Sequence, residues 1–300
     1  MDPIYIAGPT ASGKSAVALL IAERIGGEII SVDSMQVYRG LDIGTAKPSG
    51  AERSRVQHHV IDAVGPNEAF DVARFLRLAT EAHTDIVRRG HVPIYCGGTG
   101  LYFNALISGL AEVPAPNLKL REELEATPIE QLLKQLSELD PAMFERIDRS
   151  NPRRIRRAIE IIRTSGRKTS DQRTNWKRKA DGHWFGLARE RADLCQRIDQ
   201  RVDAMFAAGL FHETERLLNE GLTENRTAMQ AIGYRQVVEH LRGERDLPAT
   251  IALVKQKTRQ FSKRQLTWFR NQLDLEWMDI SESEAPETTA KTIIDRLKKT

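Results

Sequence analysis

The sequence predicts an α/β fold in which helices flank a mostly parallel sheet and a smaller all-helical domain is inserted. Over the first hundred residues, short apolar runs alternate with amphipathic stretches. A glycine-rich segment follows the first apolar run, and the pattern becomes polar and helical from Pro114 to about Arg149. Strands that alternate with helices favour parallel pairing with both sheet faces covered.

The first elements form a βαβ unit made of PIYIAG, SAVALLIAERIGG and EIISVDS. Asp71 is a good N-cap for a further helix that ends near Gly90, and the strand VPIYC follows. Two later apolar runs, HWFGLA and LEWMDI, are predicted to return to the sheet. We therefore expect a core domain of residues 1–113 and 176–300, with a helical insertion at 114–175.

Composition excludes several classes of protein. The chain has 300 residues, of which 40% are hydrophobic and 29% charged. No apolar run approaches the roughly 20 residues of a membrane helix, so we expect no membrane segment. The N-terminus lacks the pattern of a secretory signal, which favours a cytoplasmic location. The two cysteines are far apart and predict neither a disulfide framework nor a cysteine zinc site. We expect a monomer.

The sharpest motif is GPTASGKS, which matches the G-x-x-x-x-G-K-[ST] spacing of a phosphate-binding loop, or P-loop, between a strand and a helix. Glycines let the backbone N–H groups and the helix N-terminus face phosphate oxygens, while the lysine adds a positive charge. The hydroxyl of Ser15 is predicted to bind Mg²⁺. The predicted phosphate-binding residues are Gly8, Pro9, Thr10, Ala11, Ser12, Gly13, Lys14 and Ser15. The loop does not identify the ligand, because ATP, GTP and an isoprenoid diphosphate offer the same oxygens.

Six motifs occur in order along most of the chain: GPTASGKS, DSMQVYRGLDIGTAKP, GGTGLYFNAL, NPRRIRRAIE, AIGYRQ and TRQFSKRQLTWFR. Together they resemble the motifs of bacterial tRNA dimethylallyltransferases. The resemblance implies a P-loop NTPase-like fold and Mg²⁺ dependence. It also implies transfer of a dimethylallyl group from dimethylallyl diphosphate to the exocyclic amine of the tRNA adenosine 3′ of the anticodon, with release of diphosphate.

Four residues are the predicted catalytic groups. Asp33 ends the second strand, so its carboxylate should lie near the phosphate loop, and the resemblance makes it the base that accepts the amine proton. The alternative is that Asp33 caps the next helix or holds a magnesium-bound water. By resemblance, Thr10 contacts the bridging oxygen of the diphosphate, although a local structural role is an equal alternative. Lys14 is predicted to supply positive charge to the diphosphate, and the resemblance favours Arg201 as a further cation, although a solvated helix arginine is the commoner role.

Basic residues concentrate between Arg153 and Lys179 and predict a polyanionic partner. A second basic face is predicted from Lys255, Arg259 and Lys263, which recur every four residues. The resemblance makes the partner the anticodon arm of tRNA. It implies RNA contacts by Asp33, Ser34, Met35, Gln36, Thr99, Arg121, Arg153, Arg154, Ile155, Arg156 and Arg157.

Other functions are compatible with the loop alone. A P-loop is commonly part of a small-molecule kinase, and an RNA-binding triphosphatase without transfer chemistry would also carry basic faces. An isopentenyltransferase that acts on free adenylate shares the loop and Asp33. The two basic faces favour RNA over a free nucleotide.

Overall fold

The fold is described by a computed structural model for residues 2–109, 117–171 and 181–298. The chain divides into two compact units, one formed by Met1–Ile107 with Lys179–Thr300 and the other by Ser108–Arg178. We call them the core unit and the helical unit. The predicted insertion limits, 114 and 175, lie outside the described residues and stay predictions.

The core unit is built on a parallel sheet. Among the described residues its strands are Ile4–Ala7 (β1), Gly27–Val32 (β2), His58–His59 (β3), Val92–Gly97 (β4), His183–Arg189 (β5) and Glu276–Ile280 (β6). Their order is β3-β2-β4-β1-β5-β6, and each neighbouring pair is parallel. The predicted fold class is confirmed, and the carboxyl ends of β1, β2 and β4 meet at one edge.

Thirteen α-helices lie in the described part of the chain. Four precede the helical insertion: Lys14–Ile25 (α1), Gly50–Arg55 (α2), Val72–Arg88 (α3) and Gly100–Ser108 (α4). The next four are Leu118–Ala126 (α5), Ile129–Leu139 (α6), Pro141–Arg146 (α7) and Pro152–Ser165 (α8). The last five are Arg191–Ala207 (α9), Leu210–Asn219 (α10), Tyr234–Leu241 (α11), Leu247–Gln272 (α12) and Pro286–Leu297 (α13). None of the helices in these described stretches is long and apolar enough to cross a membrane.

Both faces of the sheet are buried, as expected for parallel strands. Side chains of β1 alternate between the two faces. Ile4 and Ile6 belong to the hydrophobic cluster that includes α1 and α13, whereas Tyr5 belongs to the opposite cluster. There the Tyr5 ring stacks on Trp184, with 3.7 Å between ring centroids. This packing fixes β1, and β1 leads directly into the phosphate loop.

The helical unit has its own hydrophobic core, in which Leu132, Leu136 and Ile159 are fully buried. Asn151 caps α8, because its Oδ1 accepts a hydrogen bond from Arg154 N at 3.3 Å. The inward apolar residues of α8 leave its arginines on the remaining faces.

Candidate active site

The phosphate loop connects β1 to α1. Gly13 is the N-cap residue of α1, and no side chain among the described residues caps this end. By contrast, Asp71 Oδ1 accepts a hydrogen bond from Arg74 N at the start of α3. The first N–H groups of a helix have no intrahelical partner, so this uncapped end can bind an anion. The local geometry is therefore that of a phosphate site.

Three arginines are hydrogen-bonded to the phosphate loop. They donate hydrogen bonds to oxygens of successive loop residues: Arg201 Nη1 to Thr10 Oγ1 at 3.4 Å, Arg197 Nε to Ala11 O at 3.1 Å and Arg189 Nε to Ser12 O at 3.1 Å. Arg201 was predicted to lie at this site and does so. Arg189 was missed by the sequence analysis, because nothing in a strand-terminal arginine distinguishes it from a surface residue.

These contacts support a strained backbone. Ala11 has φ 64°, in the left-handed region that costs a non-glycine residue roughly 1 kcal/mol or more. Its carbonyl is the one that accepts the hydrogen bond from Arg197. The arginine therefore stabilises the left-handed backbone conformation of the loop at Ala11.

Charged groups of both signs meet at this loop. Lys14 Nζ donates to Pro9 O at 3.2 Å. Burial lowers the pKa of Lys14, and Arg201 lowers it further, whereas the charge of Asp33 raises it. Burial also lowers the pKa of Arg201, and Asp33 again acts in the opposite direction. The carboxylate thus lies close enough to act on both cations.

Asp33 follows the last residue of β2 and is half-buried. Its Oδ1 accepts hydrogen bonds from Met35 N at 2.8 Å and Gln36 N at 3.2 Å. The predicted structural alternative, a capping role, is therefore present. It occupies only one carboxylate oxygen, since Oδ2 accepts no hydrogen bond from the described residues. Capping and proton acceptance are thus compatible in one side chain.

Other residues near Asp33 that are predicted to contact RNA also make local hydrogen bonds. Thr99 Oγ1 accepts a hydrogen bond from Ser34 N at 3.1 Å, which stabilises the turn after β2. Gln36 Nε2 donates to Thr45 O and Ala46 O, each at 3.3 Å. These bonds fix the segment after β2 in place, so any RNA contact by Thr99 or Gln36 is made from a rigid position.

In the helical unit, a buried carboxylate orders two predicted RNA-binding arginines. Glu160 is 3% exposed and accepts hydrogen bonds from Arg121 Nε at 2.8 Å and Arg157 Nη1 at 2.6 Å. Burial raises the pKa of Glu160, but these hydrogen bonds and charges outweigh it and hold the pKa below its usual value. Arg153 and Arg154 are exposed on the same helix.

Two predictions for α8 need adjustment. Ile155 is fully buried in the core of the helical unit, so its side chain cannot contact RNA and only its backbone is left for such a contact. Arg156 Nε donates to Leu124 O at 3.1 Å, which uses part of its guanidinium within the unit. The basic residues Arg173, Lys177, Arg178 and Lys179 lie outside the described residues.

Two of the three residues of the second predicted basic face are ion-paired in the structure. Lys255 Nζ lies 2.7 Å from Asp203, and Arg259 Nη1 lies 2.7 Å from Asp199. Both acidic residues belong to α9, which packs against α12. Part of the positive charge of the predicted face is therefore cancelled, whereas Lys263 is exposed. Helical spacing within α12 does not reveal the charges of its neighbour.

A predicted Mg²⁺ would have few protein ligands here. In residues 2–109, 117–171 and 181–298, no group of three or more His, Cys, Asp or Glu side chains could hold a metal ion. Ser15 is exposed at the start of α1, next to the Lys14 that faces the loop. A hydroxyl without a carboxylate cage fits Mg²⁺, which usually keeps several waters and is bound largely by substrate phosphates. The residues present are therefore compatible with the ion.

The fold and site define a P-loop enzyme for a phosphate-bearing substrate. A family model described as IPP transferase matches residues 36–272, and one described as isopentenyl transferase matches residues 1–64. The tRNA dimethylallyltransferase 1 of Citrifermentans bemidjiense is 43% identical to this chain over 280 residues, covering 92% of this chain and 91% of that protein. The chain belongs to the tRNA dimethylallyltransferase family.

Solved structures agree with this assignment. The tRNA isopentenylpyrophosphate transferase of Bacillus halodurans is 38% identical with a TM-score of 0.73, covering 99% of this chain and 96% of that one. A eukaryotic dimethylallyltransferase described as acting on tRNA has a TM-score of 0.83 at 28% identity, covering 99% of this chain and 79% of that chain. The predicted family and the prenyl transferase class are confirmed, and the kinase alternative is not supported.

Proposed function

We propose that this chain transfers a dimethylallyl group from dimethylallyl diphosphate to the exocyclic amine of the tRNA adenosine 3′ of the anticodon. The main support for the proposal is that two cations, Lys14 and Arg201, and the carboxylate of Asp33 lie at the same loop. Thr10 accepts a hydrogen bond from Arg201, and the charge of Asp33 acts on both Lys14 and Arg201. Cations for a leaving diphosphate and a base for an incoming amine are thus held together.

On the donor side, the chain binds the diphosphate with the N–H groups of the loop and the start of α1. Lys14 and Arg201 face the negative charge that grows on the diphosphate as the allylic C–O bond breaks. Thr10 adds a hydroxyl beside the bridging oxygen, where this charge develops first. Interactions that strengthen in the transition state accelerate the reaction. Ser15 would be the residue that holds Mg²⁺ here, and the ion would neutralise part of the diphosphate charge.

On the acceptor side, the exocyclic amine of adenine is a weak nucleophile because its lone pair is delocalised into the ring. As the new C–N bond forms, the amine must lose a proton. Asp33 accepts that proton through the carboxylate oxygen that does not cap the turn. The products are a prenylated adenosine, diphosphate and a protonated Asp33 that returns its proton to water.

The RNA partner supplies the adenosine from an exposed loop. A stacked base cannot present its amine to a loop at a sheet edge, so the target base is extruded at a cost of a few kcal/mol. Arg121, Arg153, Arg154 and Arg157 contact phosphates and so hold the anticodon arm without reading its sequence. A monomeric state and a cytoplasmic location stay predictions.

The test is a comparison of acceptors. The wild-type protein is incubated with Mg²⁺ and dimethylallyl diphosphate that carries a labelled dimethylallyl group. Three separate reactions then contain an anticodon stem-loop, AMP or ATP. We expect label to enter the stem-loop, with AMP labelled far more slowly. ATP hydrolysis without labelling of RNA would contradict the proposal, and preferential labelling of AMP would assign the chain to free-nucleotide prenylation.

A further inference from the structure

Gln265 links two loops of the core unit. It lies in α12 and is 8% exposed. Its Oε1 accepts a hydrogen bond from Thr10 N at 2.9 Å, and its Nε2 donates one to Gly98 O at 2.9 Å. One buried side chain therefore joins the phosphate loop after β1 to the turn after β4.

The orientation of this amide is determined by its partners. The N–H of Thr10 can only donate and the carbonyl of Gly98 can only accept, so the reversed amide would face both with the wrong group. Buried polar groups that lose their partners are costly. The two hydrogen bonds therefore hold the Gln265 side chain in one orientation.

Gly98 is required for this contact. A Cβ added there would lie 2.3 Å from Gln265 Nε2, closer than van der Waals contact allows. The φ of Gly98 lies outside the left-handed region, so an alanine could adopt its backbone conformation. The glycine thus permits the close approach of the glutamine, which explains one glycine of the GGTG motif.

Both loops carry groups of the proposed reaction. Thr10 is the residue placed beside the leaving oxygen. On the other loop, Thr99 accepts a hydrogen bond from Ser34 N at 3.1 Å, and Ser34 adjoins Asp33. The hydrogen bonds of Gln265, followed by that of Thr99, therefore connect the residue beside the diphosphate to the segment that carries Asp33.

We propose that Gln265 is a positioning residue that sets the distance between Thr10 and the turn at Gly98 and Thr99. It touches neither substrate and acts through the backbone of both loops. The inference rests on the proposed prenyl transfer. Positioning matters in such a reaction, because a displacement of about 1 Å can lower the rate by about 10²-fold.

Two variants test the positioning role of Gln265, and each disrupts its contacts in a different way. Gln265→Met keeps the length of the side chain and removes both hydrogen bonds. Gly98→Ala removes no polar group and displaces the amide by its new Cβ. The control is Gln256→Met, an exposed glutamine of the same helix. Each protein is measured for kcat, for KM of both substrates, for Kd of the stem-loop and for Tm.

We expect both variants to lower kcat at least about tenfold, with the Kd of the stem-loop within twofold of wild type and the control unchanged. A merely structural role would lower Tm and weaken RNA binding together with kcat. Folded Gln265→Met with kcat within twofold of wild type would overturn the inference while leaving the proposed function intact. If that variant does not fold, the same result for Gly98→Ala overturns it. Absence of transfer by the wild-type protein would overturn both.

Discussion

Two arginines at the phosphate loop and two arginines in the helical unit are held in different ways. At the phosphate loop, Arg197 and Arg201 donate to a carbonyl and a hydroxyl, which carry no charge. In the helical unit, Arg121 and Arg157 share the buried carboxylate of Glu160. A neutral acceptor cancels none of the charge of an arginine, so among the described residues Arg201 is offset only by the nearby Asp33, whereas a directly bonded carboxylate cancels part of it. The third loop arginine, Arg189, is also bonded to a carboxylate, since its Nη1 donates to Asp193 Oδ2 at 2.8 Å.

The difference shows that arginine can have two roles, one at a small anionic group and one at a large polyanion. In the proposed function, the cations at the loop act on a small leaving group, and the backbone of the loop fixes their geometry. On α8, the buried Glu160 orders two side chains, and the exposed Arg153 and Arg154 provide a more diffuse charge for a large polyanion. The three predictions that follow are arranged so that each tests one side of this comparison.

The largest effect is expected at the loop. Thr10→Val keeps the shape of the side chain but removes the hydroxyl that accepts from Arg201. We expect kcat for prenyl transfer to fall about 10²-fold, as when one group that stabilises developing charge is removed. Steady-state kinetics with the stem-loop would measure this. Thr80→Val, at an exposed position of α3, is the control, and an unchanged kcat for Thr10→Val would remove the threonine from the mechanism.

The next effect concerns the buried acid of the helical unit. Because the pKa of Glu160 in the folded protein lies below its usual value of 4.5, the carboxylate stabilises the fold above that pH, and this stability is lost as pH falls through the lowered pKa. We expect Glu160→Gln to lower the free energy of unfolding by about 1–2 kcal/mol at pH 7.

The prediction for Glu160 is checked by comparing the free energy of unfolding at two pH values. Urea unfolding of wild type and Glu160→Gln is measured at neutral pH and again below pH 4.5, the usual value for the group. The gap between the two proteins should shrink in acid. Glu138→Gln, at an exposed position of α6, serves as the control. A gap of equal size at both pH values would show that the charge of Glu160 contributes nothing.

The smallest effect is expected for a single exposed arginine. Arg154→Ala should weaken binding of the stem-loop a few-fold and reduce the salt dependence of log Kd by roughly 0.7–0.9 in slope, because one phosphate contact is lost. Arg163 is nine residues further along α8, on the opposite side of the helix. Arg163→Ala is the control, because the guanidinium of Arg163 is paired with Glu123 at 2.6 Å. If both variants share the wild-type slope, Arg154 makes no phosphate contact.

Several features could be predicted from the sequence because they depend on local pattern. Strand and helix alternation predicts the parallel sheet, and loop spacing places Lys14 and Ser15 at the start of a helix. The position of Asp33 follows from where β2 ends. These features involve residues close together in the chain, so short windows of sequence contain the information.

The remaining features depend on contacts between distant segments. Gln265 and Thr10 are 255 residues apart, and no local pattern relates them. Arg189 bonds Ser12 across 177 residues and could not be told from a surface arginine. The ion pair of Lys255 could not be predicted for the same reason, since its partner Asp203 lies on another helix. Family motifs indicate that such residues are important, but they do not identify the hydrogen-bond or ion-pair partner of each one.

The most direct measurement is the single-turnover rate of prenyl transfer by Asp33→Asn with dimethylallyl diphosphate and stem-loop both bound. Asparagine keeps an oxygen that can cap Met35 and Gln36, so the turn should survive while the base is lost. The proposed mechanism predicts normal binding of both ligands and a rate reduced by about 10²–10⁴-fold. A variant that forms the prenylated adenosine at the wild-type rate would contradict it.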